Sequence, residues 1–174
     1  MPRFRLGDRV QLVGDIARFY ACIVGVVISD GAYPASVLNQ YRVRLADGKE
    51  GTFFDFQLET PPANIARVIF DTLVTPKQSG IRGLSPGRHV HLAVRDVDIH
   101  LKITGSTKKT ILGQVTAGKT TMKKALVTQL IQNHTIATTS TDESGEFTLQ
   151  DVAPGDVVIE VFIPSRRILA PLSI

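Results

Sequence analysis

The chain holds 174 residues, 43% of them apolar, 6% aromatic and 21% charged, with a formal net charge of +4. That balance belongs to an ordinary folded chain and excludes the disordered and collagen-like classes, and no apolar run approaches the roughly 20 residues that cross a bilayer as a helix. Cys22 is the one cysteine, which excludes an intrachain disulfide and a cysteine zinc cluster. The opening segment MPRFRLGDRV lacks the apolar core of a signal peptide, so a cytoplasmic protein without a membrane partner is expected.

Residues 3–60 read as a small β-barrel. Phe4, Leu6, Val10, Leu12 and Val13 open it, with an early turn at Gly7-Asp8. Residues 22–28 are an apolar, β-branched run with Gly25 in the middle, where a bend or bulge is expected. Tyr41, Val43 and Leu45 alternate with Arg42 and Arg44, and Asp47-Gly48 then signals a type I′ hairpin. Residues 52–58 return as its partner strand. Strands joined this way fit an SH3-like barrel, and F-x-x-G-D-R-V (4–10), G-V-V (25–27) and Y-R-V-R-L-A-D-G (41–48) resemble barrels of the KOW type.

Eight of the eleven aromatic residues lie in this first third. Phe53 and Phe54 are neighbours, so in a strand their rings point to opposite faces and at least one is expected to be half exposed. Tyr33, Tyr41, Phe53 and Phe54 are therefore candidate binding aromatics, since exposed rings on such barrels take peptides or bases. The alternative is that the exposed ring packs on a second domain.

Glu59-Thr60-Pro61-Pro62-Ala63 reads as a stiff linker. Residues 68–74 alternate like a strand, and residues 77–86 read as loop. Residues 88–94 and 97–103 form a hairpin around Arg95-Asp96. Pairing Val94 with Val97 gathers Val90, Leu92, Ile99, Leu101 and Ile103 on one face. His89, His91, Asp98, His100 and Lys102 take the other, with His91 directly opposite His100. Further strands are expected at 110–116, 124–131, 135–139 and 167–174. Between the last two, Asp142 to Gly145 carries turn chemistry, Phe147 and Leu149 alternate with Thr148 and Gln150, and Pro154-Gly155 precedes the apolar run 157–163.

Charge is unevenly spread. Residues 1–60 carry seven bases and seven acids, while 61–174 carry thirteen and nine, so the whole net charge lies in the later part. Residues 99–141 include Lys102, Lys108, Lys109, Lys119, Lys123 and Lys124 and no acid, whereas 142–160 include six acids and no base. These stretches are solvated loops that complement each other, or a basic patch for an acidic partner or nucleic acid.

Three motifs bear on chemistry. Gly113 to Thr120 matches the phosphate-loop pattern, but that loop needs a following helix and a parallel sheet with a magnesium-binding acid, which the remaining residues do not supply. Gly83-Leu84-Ser85-Pro86-Gly87 matches the hydrolase elbow, yet Pro86 has no N–H for an oxyanion, so a turn is read. His91, His100 and Asp98, with His89 beside them, are a weak metal candidate because cross-strand histidines can reach one ion. No cofactor is expected and no acid–base or nucleophile constellation points to an enzyme.

TDESGEFTLQDVAPGDVVIEVFIP (141–164), with Leu112-Gly113-Gln114-Val115 before it, resembles the signature of carboxypeptidase regulatory-like domains. The preceding segment, from Val68-Ile69-Phe70-Asp71-Thr72 to Val97-Asp98-Ile99-His100-Leu101, is similar to small bacterial proteins carrying that domain. The resemblance covers roughly residues 66–174 and implies a transthyretin-like sandwich, an accessory role without catalysis, and a protein partner, with bacterial sigma-factor regulation as one setting. The expected architecture is thus all-β: an SH3-like barrel (1–60), a linker and leading strand (61–87), and a regulatory-like sandwich (88–174). The expected function is protein binding, using the aromatics above or Lys119, Lys123 and Lys124. The alternative is nucleic-acid binding by the KOW-like barrel and the lysine face, against which the barrel's zero net charge argues.

Overall fold

Alternating apolar and polar side chains make strands, and strands are nearly all the regular structure of this protein. The computed structural model describes residues 3–31, 38–74 and 87–174. The chain divides into one unit of Met1–Ala63 with Phe162–Arg167 and another of Asn64–Val161 with Ile168–Ile174.

The first unit contains β1 (Arg9–Leu12), β2 (Val24–Gly31), β3 (Gln40–Leu45), β4 (Glu50–Phe54) and β5 (Leu58–Glu59), with 3-10 turns at Gly14–Phe19 and Asp55–Gln57. They form one antiparallel sheet in the order β4-β3-β2-β1-β5. β4 and β5 remain its edges, so the closed barrel expected for residues 1–60 is corrected to an open sheet among the described residues. Tyr41, Val43 and Leu45 point into the core, where Phe4, Val10, Leu12 and Phe53 meet them. Arg42 and Arg44 point out and both bind Glu50, at 2.9 and 2.8 Å. The Asp47-Gly48 hairpin is not type I′. Gly48 has φ +86 while Asp47 keeps negative φ, and the Leu45 N–H donates to Lys49 O across a longer loop. The expected irregularity in β2 falls between Val27 and Ser29 rather than at Gly25.

After Pro61-Pro62 come β6 (Ala63–Ile65), β7 (Arg67–Asp71), β8 (Arg88–Val94), β9 (Val97–Thr104), β10 (Lys109–Ala117) and β11 (Thr120–Thr121). Then follow β12 (Leu126–Ile131), β13 (His134–Ser140), β14 (Glu146–Val152), β15 (Asp156–Ile163) and β16 (Arg166–Ser173). One antiparallel sheet runs β11-β10-β9-β8-β7, with β14 also paired to β10, and a second runs β13-β12-β15-β16-β6. In the first of these, Val90, Leu92, Ile99, Leu101, Ile111, Val115, Phe147 and Leu149 are buried, each on the same side of its strand. Their strand neighbours on the other side are half-buried or exposed.

Two local devices set this sheet. Asp142 Oδ1 accepts the N–H groups of Ser144 and Glu146 at 2.8 and 2.9 Å, and Gly145 takes φ +73, so the turn into β14 is closed by the acceptor side chain its composition promised. Gly113 lies opposite Phe147, and a Cβ there would sit 2.1 Å from the Phe147 ring. The absent side chain is the space the ring fills.

Candidate functional site

The outer face of the β7-β8-β9-β10-β14 sheet carries the most organised group of side chains in the second unit. Strand pairing fixes it. Phe70 lies opposite His91, His91 opposite His100, His100 opposite Gln114, and Gln114 opposite Glu146. A second row, one pleat along, runs His89, Lys102, Leu112, Thr148. Successive outward residues on a strand are two apart, so the rows stand side by side. Between them is an open concavity of about 440 Å³ whose lining includes Phe70, His91, His100, Leu112, Gln114 and Thr148.

At its centre the His91 and His100 rings stack at 4.3 Å with planes 15° apart. His91 Nε2 lies 2.7 Å from Asp98 Oδ1. A neutral His91 donating there keeps Nδ1 as an acceptor. Burial, then the neighbouring His91, push the His100 imidazole below its ordinary value of 6.5, while Asp98 pulls the other way. The Gln114 amide donates to Ser144 O at 3.0 Å, which fixes its orientation. Leu112, 44% exposed, and Phe70 place apolar surface on either side of the imidazoles.

The expected hairpin register and the opposition of His91 and His100 are both present. Of the weak metal candidates, Asp98 is bonded to His91 and the His91 and His100 rings meet face to face; among the described residues no group of three or more His, Cys, Asp or Glu is placed to hold an ion.

The expected binding aromatics separate. Tyr33 lies outside the described residues. Tyr41 and Phe53 are 1% and 2% exposed and belong to the core, so neither offers a ring to a partner. They sit opposite one another on β3 and β4, on the same face as Val43 and Leu45. Tyr41 Oη accepts the Arg3 N–H at 2.8 Å and the Phe4 N–H at 3.3 Å. Phe54 is half-buried and stacks on Phe56 at 5.6 Å with planes 5° apart. Phe56 and Phe19, 64% and 80% exposed, are the open rings among the described residues of this unit.

Lys119, Lys123 and Lys124 are exposed, and none lines the concavity. Lys119 occupies the tight turn between β10 and β11, where Ala117 pairs with Thr120. The phosphate-loop match is therefore a β-hairpin, without the helix N-terminus that would face a phosphate. Lys123 pairs with Glu143 at 2.7 Å, and Lys108 with Asp151 at 3.2 Å, so part of the basic stretch is met by the acidic one. Lys123 holds the Glu143 carboxyl below its usual range. Residues 83–86 of the elbow match lie outside the described residues.

Sequence reasoning missed Phe70, Leu112, Gln114, Glu146 and Thr148 as neighbours of the histidines. The hairpin itself was countable from its turn, but β7, β10 and β14 join it through pairings that no local pattern specifies. In comparisons with protein-family models, curated proteins and solved structures, the chain matched none. No helix among the described residues is long and apolar enough to cross a membrane.

Proposed function

We propose that this chain is a non-enzymatic binding protein that docks a protein partner on the outer face of the β7-β8-β9-β10-β14 sheet. The observation that carries the reading is the row Phe70, His91, His100, Gln114, Glu146, registered across five strands over a concavity of about 440 Å³. An aromatic ring, stacked imidazoles, an oriented amide and flanking apolar surface are the mixture that recognition faces use. Finer fold assignments belong to the same proposal. The β2-β3-β4 meander, with β5 returning to β1 after a 3-10 turn, supports an SH3-like first unit. Two antiparallel sheets, one running β11-β10-β9-β8-β7 with β14 on β10 and the other β13-β12-β15-β16-β6, support a transthyretin-like second unit, and the regulatory-like resemblance makes sigma-factor regulation the first setting to search.

The nucleic-acid reading has one favourable observation, the exposed Lys119, Lys123 and Lys124. It is the weaker because Glu143 neutralises Lys123, and because Glu50 engages both Arg42 and Arg44 of the first unit and offsets one of their two charges. A photo-crosslinking residue at Gln114, with one at Thr138 of β13 as control, tests the docking reading in the native host. A discrete adduct from Gln114 alone supports it. An adduct from Thr138 alone, or a nucleic-acid adduct, overturns it.

A further inference from the structure

Three of the chain's four histidines, His89, His91 and His100, stand with Lys102 in a square on β8 and β9. His89 is opposite Lys102, His91 is opposite His100, and each pair is one pleat from the other. The fixed charges facing this square are few. From β9 there is Asp98, bonded to His91, and from β14 there is Glu146. Glu146 stands two strands from His100, about 10 Å away at the usual strand spacing, which is on the order of one Debye length at 0.1 M salt. From β8, Arg88 is occupied by Asp71. From β7, Arg67 stands opposite Ala93 in the row of Asp98, so with neutral imidazoles the face carries Lys102 and Arg67 against Asp98 and Glu146, a formal 0. Each imidazole that takes a proton adds one positive charge, to +3 when all three do. Phe70 and Leu112 flank the square with apolar surface.

Resting on the docking reading above, we propose that this face takes an extended acidic peptide segment with interleaved apolar side chains, and takes it more tightly as the pH falls. Carboxylates meet the imidazole and ammonium groups, and the apolar side chains cover Phe70 and Leu112. The positive charge gained on protonation supplies the pH dependence, because a bound carboxylate favours the protonated imidazole. The lowered proton affinity of His100 in the free chain leaves room for that gain.

The probe is a labelled peptide alternating glutamate and leucine, with a lysine–leucine peptide as control. Both are titrated into the full chain by fluorescence anisotropy at about pH 5.5 and about pH 7.5, and bound positions are mapped by amide NMR shifts. The expected result is shifts centred on the face and an affinity roughly tenfold higher at the lower pH. The His89→Gln, His91→Gln, His100→Gln triple variant should lose the pH dependence. Lys102→Glu, a single surface change, should weaken binding at both pH values. Shifts on the face with an affinity flat in pH, or kept by the triple variant, overturn this inference and leave the docking reading standing. No shifts on the face at either pH, or preference for the lysine peptide, also overturn it, while the crosslinking experiment judges the docking reading separately.

Discussion

His91 and His100 face each other across an antiparallel pair, and their rings lie 4.3 Å apart and almost parallel. Burial and His91 both lower the His100 proton affinity. The unfolded chain therefore binds more protons than the folded one once pH falls below 6.5, and stability must decline from there downward through the lower folded value. Thermal melts of the free chain between about pH 7.5 and about pH 5 should show that decline. His100→Gln should reduce it, whereas an unchanged slope would remove the role given to the stack.

Arg88 grips Asp71 from two sides, with Nε to Oδ1 at 3.0 Å and an η nitrogen to Oδ2 at 2.6 Å, and its other η nitrogen donates to Ser173 O. The side chains are 16% and 7% exposed. Arg88→Ala leaves a buried carboxylate without its partner and should cost about 3–5 kcal/mol in urea unfolding. Arg88→Lys should recover little, because one ammonium cannot reproduce the fork. Arg88, through its hydrogen bonds, holds the Asp71 carboxyl below its ordinary 3.8, against the opposing effect of burial. That contribution is complete above pH 3.8 and fades as acid carries the pH down through the folded value.

Gly113→Ala places a methyl where the Phe147 ring now lies. The ring cannot retreat without displacing core neighbours, so a loss of about 1–3 kcal/mol is expected. Adding Phe147→Leu should recover part of it. Additive losses in that double-mutant cycle would contradict the proposed coupling.

Phe53→Ala should cost about 3–5 kcal/mol and Tyr41→Phe about 1 kcal/mol, the latter by stranding the Arg3 and Phe4 N–H groups. Phe56→Ser should stay within about 0.5 kcal/mol of the parent. Equal costs at positions 53 and 56 would contradict their opposite placements.

What could be read from the chain beforehand was what depends on near neighbours. The β8–β9 hairpin followed from two alternating runs about Arg95-Asp96, and with it the histidine pair. Counting a two-residue turn from Asp47-Gly48 would have put Tyr41 opposite Phe54 and Phe53 opposite Arg42, so the burial of Phe53 was not legible; the longer loop shifts the register by one residue and turns Phe53 to the apolar face of Tyr41, Val43 and Leu45. The open edges of the first sheet were not legible, because barrel closure depends on β4 and β5 meeting in space. Nor was the reach of the histidine face to Glu146, since β10 and β14 are joined by a pairing across more than thirty residues of chain.

The most direct measurement is an amide shift map of the full chain against the partner captured through Gln114. The largest changes should fall on Phe70, His91, His100, Gln114 and Glu146. Changes centred instead on Phe19, Phe54 and Phe56, or on Lys119 to Lys124, would contradict the assignment of this face as the docking surface.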